Sequence, residues 1–144
     1  MFKIKSKYSA SNKYRMEEKE REAIIQYSHL QAKLEALLKE REEILEKIEE
    51  ISDTISSLEE LKENVDSLFS IGSGVYCKGK ITEEKFLVNI GAGVLLELDK
   101  KKASEILSKR IDILRKATSE IDKEISNIVS QQEKLAEVIR RVRK

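Results

Sequence analysis

Proline and tryptophan are absent from this 144-residue chain, cysteine and histidine occur once each, and aromatics make up only 5% of residues. Each shortage excludes something. Without proline, nothing removes a backbone donor or clashes with the preceding turn, so no helix is broken by that route. Cys77 alone permits no intrachain disulfide and no cysteine-rich metal site, and a lone thiol is compatible with a reducing compartment. One cysteine and one histidine, His29, are too few parts for a Cys–His nucleophilic pair or a histidine metal site. Carboxylates are plentiful but scattered, with no apolar surroundings to build a desolvated acid–base pocket. The chain is therefore expected to be no enzyme, with no catalytic residues, cofactor or metal. No apolar run reaches the roughly 18–20 residues needed to span a bilayer, and the basic amino terminus lacks the apolar stretch of a secretory signal. A soluble, cytoplasmic protein is expected.

Glycine is also scarce, and all five glycines, Gly72, Gly74, Gly79, Gly91 and Gly93, fall in one central window. Since glycine marks turns and weakens helix interiors, this divides the chain into helix, β segment and helix within a single domain. What fills the flanks is charge, 38% of residues. A composition rich in Ala, Glu, Lys, Leu and Arg with regular spacing signals long helices or coiled coils.

The first helix is expected over 17–66. Its apolar seam is Tyr27, Leu30, Leu34, Leu37, Arg41, Ile44, Ile48, Ile51, Ile55, Leu58, Lys62 and Val65, in strictly alternating steps of three and four. The second, over 99–144, continues with Leu107, Ile111, Leu114, Thr118, Ile121, Ile125, Ile128, Gln132, Leu135, Ile139 and Val142. So long a 3.5-residue repeat is specific for a coiled coil, and polar insertions such as Thr118 and Gln132 can fix register. Acids at the end of the first helix (Glu59, Glu60, Glu63, Asp66) and bases at the start of the second (Lys100, Lys101, Lys102) are each unfavourable for their own helix dipole. Side by side they compensate, which predicts an antiparallel pair.

Between them, residues 67–98 contain SLFSI, VYCKGKI, KFLVNI and VLLEL, separated by GSG, TEE and GAG. This is the period-2 pattern of about four short strands in two hairpins. Isolated hairpins are marginal in water and their edges invite other chains, so this module is expected to assemble subunits. Candidate assembly residues are Ile71, Val75, Ile81, Phe86, Val88, Ile90, Val94 and Leu96. Gly74 to Lys80 fits most of a phosphate-binding loop, but Ile81 replaces the magnesium-binding hydroxyl and a strand pattern follows where a helix is needed. Gly91-Ala92-Gly93 begins like a dinucleotide fingerprint, with Leu96 in place of its third glycine. A hairpin turn is expected there.

Residues 1–16 read as a basic, flexible tail carrying Lys3, Lys5, Lys7, Lys13 and Arg15, and the other terminus carries Arg140, Arg141, Arg143 and Lys144. For residues 1–15 two readings stand open: a mobile tail, or residues ahead of a natural start at Met16. Among the apolar residues near these ends, Tyr8, Tyr14, Met16, Ile24, Ile25, Leu135, Val138 and Ile139, some exceed what a two-stranded seam buries. They are candidates for holding client proteins. The competing reading is a structural or nucleic-acid-binding coiled coil that uses its basic end.

The stretch SIGSGVYCKGKITEEKFLVNIGAGVLLELDKKKA, flanked by the heptads, resembles the central segment of prefoldin α-type subunits. That resemblance implies an ATP-independent holdase with no cofactor. It implies two α-type and four β-type subunits joined through their hairpins, with coiled-coil ends holding unfolded proteins for a group II chaperonin. Neither a membrane nor nucleic acid is among the partners it implies.

Overall fold

A computed structural model describes the backbone of residues 2–143 and the side chains of residues 13–142. Its elements run α1 (Phe2–Glu60), β1 (Ser67–Gly72), β2 (Val75–Gly79), β3 (Lys85–Gly91), β4 (Val94–Asp99) and α2 (Lys100–Arg143). The fold is thus two long helices with two antiparallel strand hairpins between them. α1 begins inside the segment expected as a tail and ends short of the expected Asp66. By packing, the chain divides into two compact units. One comprises Met1–Glu43 with Thr118–Lys144, the other Ile44–Ala117.

In the second unit, Ile51, Leu107 and Ile111 form a buried cluster, flanked by the partly buried Ile48, Ile55, Leu58 and Leu114. These are seam positions, and removing such side chains from water is the main favourable term for a two-helix layer. Ala103, with no exposed surface, extends the seam by a side chain small enough for the helices to approach closely. The end of α1 has a tertiary cause. The Lys100 ammonium donates to the Leu61 carbonyl, satisfying an acceptor at the negative end of the helix. Asn64 then adopts φ 60°, and its N–H donates to the Ile81 carbonyl at 2.9 Å. Asparagine tolerates this left-handed conformation better than most residues. Lys62 and Val65, seam positions by heptad, consequently lie beyond the helix and are exposed. At the other boundary Asp99 caps α2, its carboxylate accepting the Lys102 N–H at 2.8 Å.

The hairpins are near copies of each other. Ile71-Gly72-Ser73-Gly74-Val75 and Ile90-Gly91-Ala92-Gly93-Val94 have the same register jump at the first glycine. In both, the two loop residues have positive φ: 51° and 80° at Ser73 and Gly74, 49° and 74° at Ala92 and Gly93. Two positive φ values in a two-residue loop match the right-handed strand twist. The phosphate-loop look-alike is therefore strand β2, and Gly91-Ala92-Gly93 is a turn.

In the first unit, Ala23, Leu37, Thr118, Ile121, Ile128 and Gln132 are buried, and Tyr27, Leu30 and Leu34 are half-buried on the same seam. Arg41 Nε donates to Asp122 Oδ1 at 2.6 Å, and Gln132 Nε2 to Gln31 Oε1 at 3.0 Å. Ten residues along α1 match ten residues back along α2, which fixes the pair as antiparallel in this unit.

Candidate assembly edges and client-holding surface

In the second unit, among the described residues, β1 pairs only with β2 and β3 only with β4, so each sheet has two strands and every strand is an edge. Their unpaired backbone groups are the usual template for pairing with another chain. Cross-strand partners share a face: Phe86 sits opposite Leu98 and Val88 opposite Leu96 on one face of the second hairpin, Leu87 opposite Glu97 and Asn89 opposite Leu95 on the other. Phe86, Val88 and Leu98 are half-buried. Ile90, Val94 and Leu96 are exposed, as are Leu87 and Leu95 on the opposite face.

The first hairpin is barer. Of the expected assembly residues it carries, Ile71 is 71% exposed and Val75 55%, while Ile81, just beyond it, is half-buried. Leu68 and Tyr76, outside the expected set, are exposed to similar degree. Alternation alone could have found them, since Leu68 and Tyr76 lie on one face through the pairs Leu68–Lys78 and Ser70–Tyr76. Both faces of the module are therefore partly apolar and open.

Polar contacts tie the second hairpin, and the loop before it, to the helix ends of the same unit. Arg110 donates to the Asn89 carbonyl, and Asn89 Oδ1 in turn accepts the Gly91 N–H at 2.9 Å. Lys100 Nζ lies 3.6 Å from Glu84 Oε1, and Glu63 Oε1 accepts the Glu84 N–H at 3.2 Å. The charge compensation expected between the helix ends is thus delivered partly through the 81–84 loop, while Asp66 faces Lys80 at 3.6 Å. A hollow of about 740 Å³ beside these groups is lined by both signs of charge, including Glu59, Glu84, Lys100 and Lys101.

In the first unit, the expected client-holding residues Tyr14, Met16, Ile24, Ile25 and Val138 are exposed, between 40% and 74%, and Leu135 and Ile139 are half-buried. Leu135 and Leu30 line a groove of about 410 Å³ with Gln26, His29, Gln131 and Lys134. His29 is exposed, off the seam. The side chain of Tyr8 lies outside those described, as do those of Lys3, Lys5, Lys7, Arg143 and Lys144.

Residues 30–144 match the profile of the family described as "Prefoldin subunit". The chain belongs to the prefoldin subunit family. It is an α-type prefoldin subunit, similar to the prefoldin subunit alpha of Metallosphaera sedula, 28% identical over 88% of this chain and 95% of that one. The prefoldin subunit alpha of Methanococcus aeolicus is 32% identical over 83% of this chain and 81% of that one. Among solved structures, a chain of the filamentous PFD from Methanocaldococcus jannaschii aligns with a TM-score of 0.49 at 22% identity, covering 83% of this prefoldin chain and 97% of the other. No helix among the described residues is long and apolar enough to cross a membrane.

Proposed function

We propose that this chain is the α-type subunit of an ATP-independent holdase. Its hairpins join a second α-type and four β-type subunits, and the apolar residues of the first unit hold unfolded proteins in the cytoplasm until a group II chaperonin receives them. The observation that carries the assembly half is the pair of separate two-stranded sheets, all edges unpaired, with Ile71, Tyr76, Leu87 and Leu95 exposed. A lone hairpin is marginal in water, so partner strands are what would make it stable. The client half is supported by the exposure of Tyr14, Met16, Ile24, Ile25 and Val138, which sit on helices already stabilised by their own seam. Exposed apolar groups of this kind mark interaction surfaces. Several weak contacts on linked subunits add through effective concentration, so capture and release need no nucleotide.

The test is light scattering of a chemically denatured client diluted into the assembled complex without ATP. Wild type should suppress aggregation, and replacing Tyr14, Met16, Ile24, Ile25 and Val138 by Ser should remove most of that suppression while the complex stays intact. Undiminished suppression by the intact Ser variant would show that clients are held elsewhere.

A further inference from the structure

We infer that one flank of the helix pair in the first unit is a docking site for an amphipathic helix of a client protein. The inference rests on the holdase reading and names the kind of client segment it takes. The Gln31–Gln132 and Arg41–Asp122 bonds each join a seam residue of one helix to the residue just after a seam position on the other. Both bonds therefore lie on the same side of the seam and set the two helices level. At that level the residues following seam positions form one row, drawn alternately from α1 and α2: Ile24, Ala136, Gln31, Val129, Leu38 and Asp122. Ile24, Leu38 and Val129 are 38–48% exposed, and Ala136 is half-buried. The two polar members of the row are already bonded to seam partners. The other flank differs over the same span. It carries Gln26, Lys33, Glu40, Glu124 and Gln131, with Val138 its single apolar residue.

A two-stranded pair needs apolar residues only along its seam, with charged or polar ones beside it. An apolar stripe that widens onto one flank is the pattern of helices that pack against a further helix. The spacing selects the shape of that occupant. Projected on α1, the row advances in steps of three and four residues, the step of a helix's own apolar stripe, whereas an extended chain repeats every second residue. The size selects a reversible partner. Ile24 to Leu38 spans about 21 Å, so a helix about 10 Å wide covers only on the order of 200 Å² per side. A stable dimer takes about 800 Å² per partner, so the row is too small to hold a second copy of this chain. Ile24 is shared with the client-holding residues, and the row continues that surface along the pair. A contact this small is weak alone and gains from repetition on linked subunits.

Fluorescence anisotropy of the assembled complex tests this with a labelled peptide of about 18 residues, long enough to span the row as a helix. Its leucines recur in steps of three and four; a control peptide of the same composition carries them at alternate positions. Leu38→Gln with Val129→Gln should weaken the first peptide roughly tenfold or more and leave the second unchanged. The milder Leu38→Ala with Val129→Ala should show the same selectivity with a smaller loss. Failure of wild type to bind the first peptide overturns the proposal. Equal weakening of both peptides overturns it too, since the flank would then hold apolar chain of any shape. If neither variant affects peptide binding while the Ser variant of Tyr14, Met16, Ile24, Ile25 and Val138 still loses aggregation suppression, the site is wrong and the holdase reading stands. Concentration-dependent association of the complex, abolished by the Gln variant and with neither peptide bound, would give the flank to a second copy instead.

Discussion

The Gln132 side-chain amide donates to Gln31 Oε1 at 3.0 Å, joining a buried polar residue of the α2 seam to a half-buried one on α1. A polar pair inside an apolar seam costs stability and rewards only the register that makes the bond. Truncating Gln132 to Ala is therefore expected to cost about 1–3 kcal/mol, because packing is lost and an acceptor left without its donor. Replacing Gln31 and Gln132 together by Leu is expected to be neutral or stabilising, since both polar groups leave together. Thermal melts followed by circular dichroism distinguish the two, and a double variant less stable than the single one would contradict this reading.

Two isoleucines of α2, close in sequence, provide an internal control for the seam. Ile111 is buried against Ile51 and Leu107, whereas Ile113 is 68% exposed. Ile111→Ala should destabilise by about 2–5 kcal/mol, and Ile113→Ala by no more than about 0.5 kcal/mol. Equal losses in denaturant titrations would mean that the assembled complex covers Ile113.

At the hairpin turns, Ser73 and Ala92 hold positive φ without being glycine. Asparagine pays less for that conformation and is favoured before glycine in such loops. Ser73→Asn and Ala92→Asn should each stabilise the module by a few tenths of a kcal/mol to about 1 kcal/mol, whereas Gly93→Val should cost at least about 1–2 kcal/mol. Hydrogen exchange of the strand amides reports the difference directly.

The cap of α2 is also separable. Asp99→Ala should cost about 1 kcal/mol, and Asp99→Asn much less, because the amide oxygen still accepts the Lys102 N–H. A thermal shift equal for both would mean that the charge, not the bond, is what matters.

Most of this fold is legible in the sequence because two periods, 3.5 and 2, are each sustained over many residues. Every α1 seam residue from Tyr27 to Leu58 and every α2 seam residue from Leu107 to Val142 is buried or half-buried. Lys62 and Val65 misled because the heptad continues past the true helix end, which is set by Lys100 and Ile81 from elsewhere in the chain. Ala23 and Ala103 were passed over because a small side chain carries little hydropathy, although close helix packing favours it. The start of α1 at Phe2 was hidden by composition. A run of lysines reads as a solvated tail, yet residues 1–16 contain no proline or glycine to prevent a helix. Leu68, Tyr76 and Leu95 escape a reading by seam alone, because exposure on a two-stranded sheet depends on pairing that one strand's pattern does not give.

The central claim is that the open edges of β1–β4 are completed by other subunits. Native mass spectrometry of the chain co-expressed with a β-type prefoldin subunit tests it most directly. The expected result is a complex of two copies of this chain with four of the β type, lost when Leu87 and Leu95 are both replaced by Lys. A chain that stays monomeric beside its β-type partner would contradict the claim.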